Sequence, residues 1–191
     1  MPRLFTALEI PASIRTQLSL IRAPLNGAKW ISADDMHITL RFVGDVESRA
    51  ADEFAELLAG IEAEPIEISI RGVGAFGGRE PRVLWAGIEA GEGLAALYRA
   101  HDRAARAAGL EPDAHDFKPH VTLARVRGAR HDAVARFLEE NGALRTEAFI
   151  AARFVLFSAR PGSGGGPYAV EAAYPLQDGS GWTEEAADEF R

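Results

Sequence analysis

Met36-His37-Ile38-Thr39-Leu40-Arg41-Phe42-Val43 returns 83 positions later as Pro119-His120-Val121-Thr122-Leu123-Ala124-Arg125-Val126. Both segments read His-x-Thr-Leu and are rich in the apolar and β-branched types that suit a strand. Along a strand, residues two apart share a face. His37 and Thr39 therefore point one way, Ile38 and Leu40 the other. His120 and Thr122 are set in the same sense against Val121 and Leu123. Each strand thus buries an apolar side and shows a histidine and a threonine on the other. A repeat within one chain suggests two related halves. If they pack about a pseudo-twofold axis, the four polar side chains converge on one cleft.

Outward from the repeat, residues 3–10 alternate and predict a strand, and Pro11 opens a helix with Ile14, Leu18 and Ile21 on one face. Asp34-Asp35 marks a turn before the first motif, and Gly44-Asp45 ends its strand. Ser48 is the expected cap of a helix lined by Phe54, Leu57, Leu58 and Ile61. Residues 65–73 and 82–89 read as an antiparallel pair around a glycine-rich bend at 74–78. An alanine-rich helix follows at 93–108, stopped by Gly109. After the second motif come a short helix at 131–140 and a closing strand pair, 144–158 with 167–176. Pro161–Pro167 reads as a flexible hairpin loop. The order is an α+β one without regular βα alternation. Residues 1–177 form one two-lobed domain in this reading, and 178–191 an acidic tail.

The bulk numbers exclude several classes. The 191 residues suit one compact domain. With no cysteine there is no disulfide, thiolate metal site or cysteine nucleophile. No apolar stretch matches a membrane span or a signal peptide, which predicts a soluble, cytoplasmic protein. The net charge of −7 argues against a general nucleic-acid coat. An acidic enzyme still handles one RNA end if its cleft is locally basic. Arg41, Lys118, Arg125 and Arg127 are the expected source of that charge.

Two histidines and two hydroxyls suit proton transfer at a phosphate. A neutral imidazole takes a proton from water while an imidazolium gives one to a leaving oxygen. Thr39 and Thr122 are placed to hydrogen-bond phosphate oxygens. Arg125 stands five residues past His120, facing away on an ideal strand unless a bulge brings it round to grip phosphate. Phe42 and Trp30 are candidates to stack on a base, with core packing the preferred reading for Trp30. A metal site using His37, His120, His115 or Asp34 lacks any known ligand spacing, so no metal and no cofactor is expected. His101-Asp102 and His131-Asp132 are read as solvated helix positions, and His115 as structural.

At these residues the chain resembles the two-histidine (2H) phosphoesterases, most of all the RNA 2′,3′-cyclic phosphodiesterase branch, also called 2′-5′ RNA ligases. Arg3–Pro11, Trp30-Ile31, Pro81–Gly87, Phe117–Arg125, Phe157–Gly162 and Tyr168 resemble the family's flanking stretches. The resemblance implies two pseudo-symmetric lobes, each an antiparallel sheet with helices outside, and a groove between them. It implies that His37 is the proton donor and His120 the acceptor, with Thr39, Thr122 and Arg125 holding the phosphate. The expected reaction is hydrolysis of an RNA 2′,3′-cyclic phosphate end to a 2′-phosphomonoester, with 2′-5′ ligation as its reverse. The alternatives are another 2′-linked or cyclic nucleotide substrate, or a non-catalytic RNA-end-binding module. No protein partner is expected, and the chain reads as a monomer.

Overall fold

The computed structural model describes residues 3–159 and 168–177. The glycine-rich loop and the acidic tail of the sequence reading lie outside these residues, as do Arg160, Pro161 and Gly162 of the closing hairpin. In chain order the elements are β1 (Arg3–Glu9), α1 (Ala12–Leu20), β2 (Ala28–Trp30), β3 (His37–Asp45), α2 (Ser48–Ala59), β4 (Ile66–Phe76), β5 (Val83–Ala90) and α3 (Glu92–Ala107). Then follow β6 (His120–Val126), α4 (His131–Asn141), β7 (Phe149–Ala151), β8 (Arg153–Ala159) and β9 (Ala169–Pro175). A 3₁₀ turn, Ala33–Asp35, precedes β3.

The strands run in the order β7-β4-β5-β6-β3-β1-β8-β9, with β2 also on β6, and every pairing is antiparallel. The centre of this order is thin. β3 and β6 meet through one residue pair, Ile38 with Val121. On one side of that seam β3-β1-β8-β9 form a half-sheet; on the other, β6-β5-β4-β7 form its counterpart. The expected α+β architecture of two related halves is therefore present, with the halves touching at their motif strands.

The helices cover the buried face. Leu8, Ile38, Phe54, Leu58, Ile68, Ile70, Leu84, Leu97 and Leu123 are all buried in one continuous core. Burying each such side chain is worth roughly 1.5–3 kcal/mol, so this face holds the halves in place. α3 packs on both α2 and β3.

Several boundaries differ from the sequence reading. β4 runs through the expected bend as far as Phe76, and the chain turns at Gly77 and Gly78, both at positive φ. Gly74 inside that strand has a packing reason: a Cβ there would lie 2.2 Å from the Trp85 ring. The 144–158 stretch is two strands broken at Ala152, because β7 pairs with β4 while β8 pairs with β1 and β9. Ser48 begins its helix but does not cap it; Glu47 holds the cap position without a side-chain hydrogen bond. Among the described residues, no helix is long and apolar enough to cross a membrane.

Candidate active site

The site grows from a shared irregularity in the two motif strands. In the pairing of β1 with β3, Ala7 opposes Thr39 and Thr6 opposes Arg41, so Leu40 is skipped. In the pairing of β5 with β6, Trp85 opposes Thr122 and Leu84 opposes Ala124, so Leu123 is skipped. The leucine of each His-x-Thr-Leu is thus the extra residue of a β-bulge. A bulge shifts the alternation by one place. Burial follows that shift: Leu40 and Arg41 are both buried, as are Leu123 and Ala124, and Phe42 and Arg125 then emerge exposed. Ideal alternation would turn Arg125 away from His120; the bulge returns it to the same face.

Across the seam, Ile38 opposes Val121. Carrying that antiparallel register one residue each way sets Thr39 against His120 and His37 against Thr122. The pseudo-twofold axis passes through the Ile38–Val121 pair. Over it lies a groove of about 560 Å³, lined by His37, Thr39, Phe42, His120, Thr122 and Arg125 from the two motifs. Arg3, Phe5, Ile31, Asp35, His115, Ala159 and Tyr168 complete its walls. All six residues singled out from sequence are therefore brought together.

Both histidines are held alike. His37 Nδ1 lies 2.7 Å from the Asp35 carbonyl, and His120 Nδ1 lies 2.6 Å from the Lys118 carbonyl. A carbonyl only accepts, so each Nδ1 carries a proton and donates it. This fixes one tautomer in both neutral rings and leaves each Nε2 free for proton transfer. Aromatic edges confine the rings. Tyr168 stands perpendicular to His37 with centroids 5.3 Å apart, Phe5 lies 4.9 Å from the same ring, and Phe76 stands edge-on to His120 at 4.9 Å. Trp85 backs Phe76 at 5.3 Å, in the space that Gly74 leaves.

The electrostatics of the two rings differ. Burial holds the His37 pKa below its ordinary 6.5; the Asp35 carbonyl opposes this, and the charges of His120 and Arg125 reinforce it. Burial, with Asp34 alongside, raises the Asp35 carboxyl above its usual range. Burial also raises the Tyr168 phenol, so that it stays protonated, while the Arg125 charge opposes the shift.

Other expectations are corrected. Arg41 supplies no charge to the groove. The bulge turns it to the helix side, where it is 4% exposed and paired with Asp102 at 3.4 Å and Asp113 at 3.8 Å. Arg127 lies past the end of β6 and does not line the groove. Trp30 packs on Phe137 at 5.4 Å, as core packing requires. His101 is fully buried, not solvated. Its Nδ1 lies 2.8 Å from the Leu97 carbonyl, it packs against Phe154, and burial lowers its pKa to about 4. His115 lines the groove wall and is more than a turn residue. The sequence reading assigned no role to Arg3, Phe5 or Tyr168. Arg3 and Phe5 stand on β1, the partner of β3, and Tyr168 stands just before β9 at the far edge of the same half-sheet, and no local pattern encodes those neighbours. Among the described residues, no three His, Asp or Glu side chains are grouped to hold a metal ion.

Known proteins resemble this chain in sequence and in fold. An RNA 2′,3′-cyclic phosphodiesterase of Aeropyrum pernix is 39% identical over 136 residues, covering 69% of this chain and 74% of the relative. One of Methanothermobacter thermautotrophicus is 35% identical over 148 residues, covering 72% and 79%. In structure, a Thermus thermophilus protein superposes with a TM-score of 0.73 at 26% identity, covering 91% of this chain and 97% of that one. Escherichia coli LigT complexed with 3′-AMP shares the fold, with a TM-score of 0.74 at 23% identity over 92% of this chain and 99% of that one. The LigT-like phosphoesterase model matches residues 8–85 and 88–168, one segment for each His-x-Thr-Leu strand, and the chain belongs to that family.

Proposed function

We infer that this chain hydrolyses the 2′,3′-cyclic phosphate at an RNA end, leaving a 2′-phosphomonoester. The observation that carries this reading is the pair of bulged His-x-Thr-Leu strands, set antiparallel across the Ile38–Val121 seam and lining one groove. The relatives at 39% and 35% identity bear the name of this activity.

In the reaction, water attacks phosphorus and gives its proton to His120 Nε2. The bond from phosphorus to the ribose 3′ oxygen breaks, and His37 Nε2 protonates that oxygen. Thr39, Thr122 and Arg125 hold the non-bridging oxygens, where negative charge gathers in the transition state. The division of roles, His37 as donor and His120 as acceptor, follows the family resemblance. The depressed pKa of His37 fits it under one condition. In the protein alone His37 is mostly neutral at pH 7, and an anionic phosphate in the groove favours its charged form. The donor is then loaded by the substrate it serves. Phe42, exposed beside Thr39, offers a face to the base.

The test is incubation with an oligoribonucleotide ending in a 2′,3′-cyclic phosphate, with and without chelator, followed by assignment of the product phosphate. A 2′-phosphate formed equally in both is expected. A 3′-phosphate, no turnover, or turnover lost to chelator contradicts the scheme.

A further inference from the structure

The groove does not end at the histidines. A second chamber of about 680 Å³ continues from it and shares Thr39, Phe42, His115, His120 and Thr122 with it. The two are chemically unequal. Only the first contains His37 and Arg125 and so holds the complete acid–base and phosphate-gripping set. The second lacks both and is walled instead by Phe76, Val83, Phe117 and Lys118.

This wall is built for a flat, apolar ring next to an anion. Phe117 lies parallel to Tyr98, with centroids 4.1 Å apart and planes 1° apart, which fixes its ring where it lines the chamber. Phe76 is fixed edge-on against His120, and Phe42 is 52% exposed at the junction. Lys118 lines the chamber with a cation and His115 with an imidazole, and the Asp116 carboxylate lines it too. Asp113 lines the same wall, but it is engaged by Arg41 and by the His115 main-chain N–H at 3.2 Å. The connection between α3 and β6, residues 108–119, is also anchored from below. Arg41 donates to the Glu111 carbonyl and, at 2.7 Å, to the carbonyl of Phe42. One buried arginine of the first motif thus holds the approach to the second.

We propose that this second chamber binds the nucleotide preceding the cyclic-phosphate end, so that the enzyme selects an RNA strand over a cyclic mononucleotide. The proposal rests on the cyclic-phosphate reading above. The reacting ribose and phosphate occupy the first chamber, and the strand leaves between Phe42 and Phe117 with its next phosphate near Lys118. The base of that nucleotide stacks on phenylalanine, which serves any base because every base has a π face.

Steady-state kinetics on adenosine 2′,3′-cyclic phosphate and on a dinucleotide with the same end separate the possibilities. The dinucleotide is expected to have a KM lower by about tenfold, the scale of one base–aromatic stack. In Phe117→Ala, and separately in Lys118→Gln, the ratio of the two KM values should shrink towards one. Each ratio is taken within one preparation, so partial loss of folded protein does not alter it. Equal KM values in the parent protein overturn the proposal and leave the hydrolytic reading standing. An unchanged ratio with both KM values raised overturns it too, since the chamber then holds the terminal base. Turnover of neither substrate removes the hydrolytic reading itself, and the proposal with it.

Discussion

Phe42 and Arg125 occupy the same place in their strands, each five residues past a histidine and just beyond a one-residue bulge. The repeat is symmetric in its histidines and threonines and asymmetric here, with an aromatic ring on one side and a guanidinium on the other. Arg125→Met should lower kcat/KM by about 10- to 100-fold, the range of lost charge-assisted hydrogen bonds. Phe42→Ala should mainly raise KM, by about tenfold. Initial-rate kinetics check both, and equal effects of the two changes on kcat would remove the proposed division of labour.

His37→Ala and His120→Ala should each lower kcat by roughly 10²- to 10⁴-fold. The thermal melting curve should barely move, because both rings line the groove and neither joins the apolar core beneath the helices. A variant that loses activity by unfolding would show in the melt.

The charge of Arg125 helps to depress the His37 pKa. Arg125→Gln removes a positive neighbour, so the charged imidazolium becomes less unfavourable and the pKa rises towards 6.5. NMR titration of the His37 ring should show that upward shift. A downward shift or none would contradict the geometry.

His101 adds an acid-sensitive contribution to stability. It is buried and neutral, with a folded pKa of about 4 against an ordinary 6.5. The unfolded chain binds more protons between these values, so this contribution is complete above pH 6.5 and is lost as pH falls towards 4. At most about 3 kcal/mol is involved. Denaturant titrations across this window should show the loss, and His101→Leu should flatten it.

Arg41 carries a buried charge, and removing one partner of a buried pair costs about 3–5 kcal/mol. Arg41→Ala should lower the free energy of unfolding by about that amount, because Asp113 loses its cation and Asp102 keeps only Arg106. Urea unfolding measures the change.

The legible part of this molecule is what repeats and what alternates. His37, Thr39, His120 and Thr122 stand out because a period of two and a second copy put them on matching faces, and those faces do meet. The bulges left no such mark. Each reverses the next two residues, so Arg125 reaches the groove by the bulge that its position requires, while Arg41, expected as a site charge, is turned away from it. His101 is a different case, because its helix did carry a signal. Leu94, Leu97, Ala104 and Ala105 fall at helical spacing around it and are buried with it, and Phe154 from β8 closes the position. Arg3 and Tyr168 became site residues through strand partners far away in sequence, which no local window contains.

The unequal continuity of the two half-sheets bears on how the molecule is made. One half comes from the unbroken stretch 66–151, save for β2, while the other joins β1 and β3 to β8 and β9. Arg3 pairs with Ala159, so the second edge of β1 waits for almost the whole described chain. Contacts that close such long spans form slowly and late. During synthesis the half bearing His120 can pair its strands first. The half bearing His37 stays open until β8 emerges, bringing Phe154 to the buried face and Phe157 against Phe5. A nascent chain would therefore finish the sheet under one imidazole before the sheet under the other, and chemistry that needs both would begin only when its last strands had been added.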